Sequence, residues 1–288
     1  MIDVARYVLA PNPSALTGPG TNTYILGSGT SVAVIDPGPD IASHHDAILA
    51  ALRPGQHVSH ILVTHPHRDH SALAARLSAA TGAPVLAFGI AGSGRSARMR
   101  RLAEQTEPGG GEGRDAGFIP DQRLAHGDIV AGDGWHLEVL HCPGHMAEHL
   151  CFAFIDVLFS GDHVMAWSSS LISPPDGDMG DYMASLALLA RRPWQKFLPG
   201  HGDPVNAPAA RLAELSAHRR AREAAILDVI AKGPATLAEI TARVYADTPT
   251  SLHAAAARNA FAHLVDLVDK GRVAADPTLG PLAMFHRI

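Results

Sequence analysis

Ile61-Leu62-Val63-Thr64-His65-Pro66-His67-Arg68-Asp69-His70 runs from a short apolar segment straight into three imidazoles and one carboxylate. An apolar run of this length, bounded by turn signals, reads as a strand buried on both faces of a layered α/β protein, and the ends of such strands are where functional side chains gather. Neutral imidazole nitrogens and a carboxylate oxygen suit zinc and similar borderline metals. Side chains two residues apart on an extended segment point to the same side, so His65 and His67 can grip one ion, while Asp69 and His70 face a second. An exposed His-rich turn would stand alone. This cluster has remote partners.

Downstream the same arrangement of strand, glycine turn and candidate ligand recurs. Leu137-Glu138-Val139-Leu140 leads into His141-Cys142-Pro143-Gly144-His145, Val157-Leu158-Phe159-Ser160 into Gly161-Asp162, and Lys196-Phe197-Leu198 into Pro199-Gly200-His201. Upstream, Thr23-Tyr24-Ile25-Leu26 and Ser31-Val32-Ala33-Val34-Ile35 fit a hairpin across Gly27-Ser28-Gly29. It ends at Asp36, which either accepts a hydrogen bond from the metal site or caps the following turn. Residues 41–52 and the stretch around Leu73 and Leu77 are expected to be helical, with a strand at Pro84-Val85-Leu86-Ala87. Residues 89–120 interrupt this rhythm: Arg95, Arg98, Arg100 and Arg101 read as a solvated loop face or, as the alternative, as holding substrate phosphates or carboxylates, and Pro108-Gly109-Gly110-Gly111-Glu112-Gly113 as a mobile excursion.

The 288 residues are 47% hydrophobic and 18% charged, a globular composition with enough apolar matter for one large or two modest domains. A net charge of −5 argues against a surface built throughout for polyanions, and the 18 histidines are the compositional outlier. Cys142 and Cys151 are expected to be reduced, Cys142 as a small buried hydrophobe. The N-terminus lacks a basic stretch followed by an apolar one, and no apolar run approaches the roughly 20 residues of a membrane span, so the expectation is a cytoplasmic protein without a membrane partner.

From about residue 209 the chain turns to helix formers. Leu212, Leu215, Ile226 and Ile230 keep helical spacing, Thr236-Leu237-Ala238-Glu239 is a capping box, and Phe261, Leu264, Val265 and Val268 line a third helix that Gly271 ends. Arg272-Val273-Ala274 and Leu282-Ala283-Met284-Phe285 add a two-stranded wing, giving a winged-helix outline.

His65-x-His67-x-Asp69-His70, His145, Asp162 and His201 in this order resemble the metallo-β-lactamase superfamily. The resemblance implies an α/β fold, a four-layered αβ/βα sandwich over residues 1–208, followed by a small winged-helix domain over 209–288. It also implies two divalent metal ions, taken as Zn2+: His65, His67 and His145 on one, Asp69, His70 and His201 on the other, Asp162 bridging. Such a pair shares a water and makes hydroxide available near pH 7, with Asp69 orienting it or accepting its proton. His141, His149 and His163 are expected to support or pack.

Gly20-Thr21-Asn22-Thr23-Tyr24, residues 64–71, Asp181-Tyr182-Met183-Ala184-Ser185-Leu186, His218-Arg219 and the tail are similar to the lactamase-like endoribonuclease branch, which implies cleavage of single-stranded RNA. The ligand motifs are shared with glyoxalase II and lactonases, so a small acyl thioester or lactone is the alternative substrate; a non-catalytic nucleic-acid-binding protein is the third reading. Trp167, Ser168 and Tyr182 are expected to contact substrate, and arginines of the tail, Arg211, Arg219 and Arg222 among them, to meet nucleic acid or to pack over the catalytic face. A homo-oligomer is compatible with the sequence.

Overall fold

Strands β1 (Ala5–Leu9), β2 (Asn22–Leu26), β3 (Ser31–Ile35), β4 (His57–Leu62), β5 (Val85–Ala87) and β6 (Gln122–Arg123) lie side by side in that order in one sheet of the computed structural model, which describes residues 5–105 and 113–288. A second sheet has the order β11 (Lys196–Pro199), β10 (Val157–Gly161), β9 (Leu150–Phe154), β8 (Trp135–His141), β7 (Ile129–Gly132). Alternation decides which residues meet. Tyr24, Leu26, Ala33 and Ile35 of the first sheet share a core with Leu150, Phe152, Phe154 and Phe159 of the second. Their neighbours Ile25, Val32 and Val34 face outward, against Ile48 of α1 (Ala42–Ala50), and Leu73 and Leu77 at α3 (Ala74–Thr81), which follows the single turn α2 (Arg68–Ser71).

The outer face of the second sheet, with Cys151, Ala153 and Leu158, packs against Tyr182, Leu186 and Leu189 of α5 (Met179–Leu189), which follows α4 (Ala97–Gln105) in the chain. The four expected layers are thus present: helices, sheet, sheet, helices. The 23-residue helix α6 (Pro208–Ile230) then joins two cores, giving Leu212 and Leu215 to the sandwich and Ile226, Val229 and Ile230 to the tail. The capping box forms at α7 (Leu237–Val244), and α8 (His253–Asp269) completes the three helices.

Three details differ from the expectations. The wing has three strands, because the residues just before α7 form β12 (Ala235–Thr236), which pairs with β14 (Met284–Arg287) beside β13 (Val273–Asp276). The stretch 89–120 is not a solvated loop throughout, since α4 buries Met99 and Leu102 in the tail core. Three of its arginines are paired, Arg95 and Arg114 with Asp176 and Arg98 with Asp178 and Asp269, whereas Arg100 and Arg101 are exposed as on a solvated face. Residues 108–112, where the excursion was expected, lie outside the described residues. Among the described residues no helix is long and apolar enough to cross a membrane, and Cys142 and Cys151 are free and buried.

Candidate metal centre

Each candidate ligand leaves the end of a strand. The turn after β4 supplies His65, His67, Asp69 and His70; those after β8, β10 and β11 supply His145, Asp162 and His201. The glycines of these turns are required by close approach: a Cβ on Gly200 would lie 2.6 Å from the His70 ring and 2.7 Å from Asp162 Oδ1, and one on Gly144 would lie 2.4 Å from the Tyr182 backbone. Only glycine lets these loops come together.

The structure brings all seven side chains into two adjoining groups, His65, His67, His145 and Asp162, and Asp69, His70 and His201, within each of which the ligand atoms lie within 4.8 Å of one another. Asp162 stands between them. Its Oδ2 is 3.9 Å from His65 Nε2 and 3.7 Å from His145 Nε2, whereas its Oδ1 is 3.4 Å from both His70 Nε2 and His201 Nε2. Asp69 Oδ2 is 3.2 Å from His201 Nε2. His67 Nδ1 is 2.9 Å from His65 Nε2 and 3.1 Å from His145 Nε2.

Outer hydrogen bonds decide which ring nitrogens carry lone pairs. His70 Nδ1 faces Asp36 at 2.9 Å, His145 Nδ1 the Leu171 carbonyl at 2.6 Å, and His201 Nδ1 the Gly20 carbonyl at 3.1 Å. Thr64 Oγ1 donates to Asp36 at 2.8 Å, so it accepts from His65 Nδ1 at 3.0 Å. Each of these acceptors makes the outer nitrogen the donor and leaves Nε2 to face inward, while His67 faces inward through Nδ1. Five imidazoles and two carboxylates directed into one space call for cations among them, metal ions or the protons that the carboxylates favour on His70 and His201. The donor set and its geometry therefore fit two divalent metal ions. Asp36 acts here as the acceptor for His70, one of the two roles its position allowed.

The electrostatics follow the same division. Burial depresses the pKa of His65 and His145, and burial with the neighbouring His145 takes His67 to about 3. At His70 and His201 burial works the same way but the carboxylates, Asp162 first, outweigh it: both rise, His201 to about 9. Burial opposes the ionisation of Asp69, yet His70 and His201 lower it to about 2.

His149 stacks on His65 with 5.0 Å between ring centres, and its Nε2 accepts from the Asp162 N–H at 3.2 Å. His163 is buried between His149 and Tyr182, and His141 stacks on Phe88. All three support or pack.

A cleft of about 560 Å³ opens onto Asp69, His145, Asp162 and His201. Trp167 and Ser168 line it, with Trp167 47% exposed. Tyr182 does not: it is fully buried beneath the Pro143-Gly144 turn, so the expectation that it contacts substrate is corrected by its packing role in the sandwich core. The opposite wall comes from the tail, through His218, Arg222, Tyr245, Leu252 and Asn259. His218 and Arg222 were singled out in the sequence, but it offered no pattern by which to choose Tyr245, Leu252 and Asn259, because their place depends on how α6 and α8 dock.

A profile of the Metallo-beta-lactamase superfamily matches residues 16–201, and one of the Beta-lactamase associated winged helix domain matches residues 236–279. The Beta-lactamase-like protein 2 homolog of Drosophila melanogaster is 29% identical over 276 residues, which span 92% of this chain and 88% of that one. An Atrochrysone carboxyl ACP thioesterase of Cryptosporiopsis sp. is 27% identical over 226 residues, 77% of this chain and 62% of that one. Among solved structures, a metallo-beta-lactamase family protein from Thermus thermophilus superposes with a TM-score of 0.80 at 24% identity, covering 100% of this chain and 99% of that one, a likeness of fold.

Proposed function

Because the chain belongs to the metallo-β-lactamase superfamily and carries its associated winged-helix domain, we propose that it is a dinuclear metal-dependent hydrolase of a small acyl thioester. The observation that carries the dinuclear reading is Asp162, whose two oxygens face two separate groups of ligands. His65, His67 and His145 would hold one cation and Asp69, His70 and His201 the other; zinc suits this nitrogen-rich set. Bound there, the ions would supply a water acidified towards neutral pH and a Lewis acid for the substrate carbonyl. Asp69 has the more accessible carboxylate, 26% exposed against 10% for Asp162, and its low pKa keeps it an acceptor at neutral pH. It would orient the attacking water or accept its proton. Trp167 and the tail wall confine the acyl group and exclude bulk water.

Two features of the cleft favour a small acyl substrate over the RNA reading. Leu16, Met165, Trp167, Leu171, Leu252 and Ala256 give it apolar walls. Three of the tail arginines are bonded to main-chain carbonyls: Arg211 to those of Met165 and Ser168, Arg219 to Ser170, Arg222 to Val244. The thioesterase named among the relatives points the same way. Single-stranded RNA remains the second reading, favoured by the half-exposed Trp167 ring, which offers a stacking face, and by Arg68 on the same cleft.

The test is to incubate metal-loaded protein with a glutathione acyl thioester and, separately, with unstructured RNA. Thioester turnover that disappears in Asp162→Ala, with RNA intact, is the expected result. RNA cleavage that weakens steeply with salt, without thioester turnover, reverses the substrate. Fully metal-loaded protein that attacks neither ends both readings.

A further inference from the structure

Of the five imidazoles whose inner nitrogens converge, four have outer hydrogen bonds described above, and these do not all come from the same part of the chain. His65, His70 and His201 are fixed by Thr64, Asp36 and Gly20, all within the two-sheet sandwich. His145 is fixed by the carbonyl of Leu171, at 2.6 Å. Leu171 lies in an irregular stretch after β10, and what keeps its carbonyl in place comes from the tail.

Both peptide neighbours of Leu171 are gripped. The Ile172 N–H donates to Asn259 Oδ1 of α8 at 3.1 Å. The Ser170 carbonyl accepts from Arg219 Nη2 of α6, and Arg219 Nη1 donates to the same Asn259 oxygen at 3.1 Å. One amide oxygen and one guanidinium thus close a clamp over residues 170–172. Arg219 is 1% exposed, and its guanidinium also lies 5.3 Å from the centre of the Tyr182 ring. Placing an arginine this deep is expensive, and the planar fork is the feature a lysine would not reproduce. Ser170 Oγ completes the link by donating to the carbonyls of Asp162 and His163, so the clamped peptide is tied to the turn that carries the bridging carboxylate.

We infer that Arg219 and Asn259 are positioning residues for the metal centre, through which the tail orients His145 by fixing the Leu171 carbonyl. Neither side chain is a ligand. Asn259 acts through the Leu171–Ile172 peptide and Arg219 through the preceding one, each then through one imidazole, the kind of outer partner whose loss typically weakens metal binding about 10–100-fold. The inference rests on the reading of His65, His67 and His145 as one metal site, and it makes the C-terminal domain part of that site.

The full-length protein, loaded with zinc and challenged with a chelator, provides the test by metal content, with circular dichroism to check folding. Wild-type protein is expected to hold two ions. Asn259→Ala is expected to lose one of them at a chelator concentration that leaves the wild type intact, a weakening of about 10–100-fold. Asn259→Asp preserves both acceptor contacts and is expected to keep two. In a His145→Ala background, Asn259→Ala is expected to add no further loss, because the imidazole through which it acts is gone; a purely structural role would still weaken the remaining ion. If Asn259→Ala fails to fold, Arg219→Lys carries the same comparison. Wild-type affinity in these variants, or a further loss on top of His145→Ala, overturns the inference. Wild-type protein that takes up no zinc would instead remove the metal centre itself, and this inference with it.

Discussion

The two halves of the metal centre look alike in their ligands and differ in what holds them. The half made by Asp69, His70 and His201 is anchored inside the sandwich: Asp36 at the end of β3 accepts from His70 Nδ1, and the Gly20 carbonyl from His201 Nδ1. In the other half His145 depends on a peptide that Arg219 and Asn259 clamp from the tail. One half is thus a property of the sandwich, whereas the other requires the second core to be docked. Ligand identity places an ion; the origin of the outer hydrogen bonds decides which part of the molecule that ion reports on.

Removing Asp162 should abolish the distinction and produce the largest effect. It is the one side chain facing both groups, so Asp162→Ala is expected to weaken both ions and to lower kcat/KM by on the order of 10³-fold or more, beyond the loss expected for an outer partner. Retention of both ions with only a modest loss of rate would show that the halves are independent of the bridge. Asp36→Asn is the complementary perturbation. The buried carboxylate accepts three hydrogen bonds, from Thr64 N–H at 2.7 Å, Thr64 Oγ1 at 2.8 Å and His70 Nδ1 at 2.9 Å, and an amide cannot accept them all. Asparagine tolerates the positive φ of 51° at this position, so the backbone is not the cause of any defect. Chelator competition is expected to show an about 10–100-fold weaker ion in the Asp69, His70, His201 half, with a smaller loss in the His145 half, which Asp36 reaches only through Thr64 Oγ1 and His65. Equal weakening of both would merge the two halves into one cooperative unit.

How far the sequence reached follows the same line. The ligands were legible because their spacing is local and each stands at the end of an apolar run, and the βαβ rhythm, the capping box and the Pro-Gly-His turns carry their own physics in a few adjacent residues. Asp36 was half legible: its position after a strand showed that it matters, not whether it caps or supports. The clamp of Arg219 and Asn259 on the Leu171 carbonyl was out of reach, since it joins residues up to 87 apart in sequence and nothing periodic marks Asn259 on α8. Tyr182 was misread for a related reason: an aromatic in a chemistry-rich block looks the same whether it lines a cleft or fills the space under a glycine turn. Arg95 and Arg98 read as solvated because their carboxylate partners, Asp176 and Asp178, lie about eighty residues away.

Trp167→Ala probes the cleft rather than the ions. The ring is half exposed against Gly18 and Gly202, and neither group of ligands includes it. Both ions should stay, while the KM for an acyl thioester rises by up to about tenfold, the equivalent of about 1.4 kcal/mol of lost contact. A fall in metal content in this variant would mean that the 162–172 stretch answers to its cleft side as well as to the tail.

The smallest expected effect lies at the joint itself, where Arg98 of α4 bonds Asp178 at the start of α5 and Asp269 of α8. Asp181, in the first turn of α5, is the misfit: burial, with Asp178 and Asp266 nearby, raises its pKa to about 6 despite Arg98. A carboxyl whose value is higher in the fold than in the unfolded chain favours folding least once it is ionised. Below about pH 4, the usual carboxylate range, it is protonated in both states and costs nothing; between about 4 and 6 the unfolded chain releases its proton first, and above 6 the whole penalty applies. Asp181→Asn should therefore leave stability unchanged near pH 4 and raise it at pH 7–8, a difference that denaturant midpoints at the two pH values measure. The site is partly exposed, so solvent screening keeps the gain small. A gain that is the same at both pH values would mean that the charge is already neutralised within the joint, and that the tail meets the sandwich with no electrostatic cost.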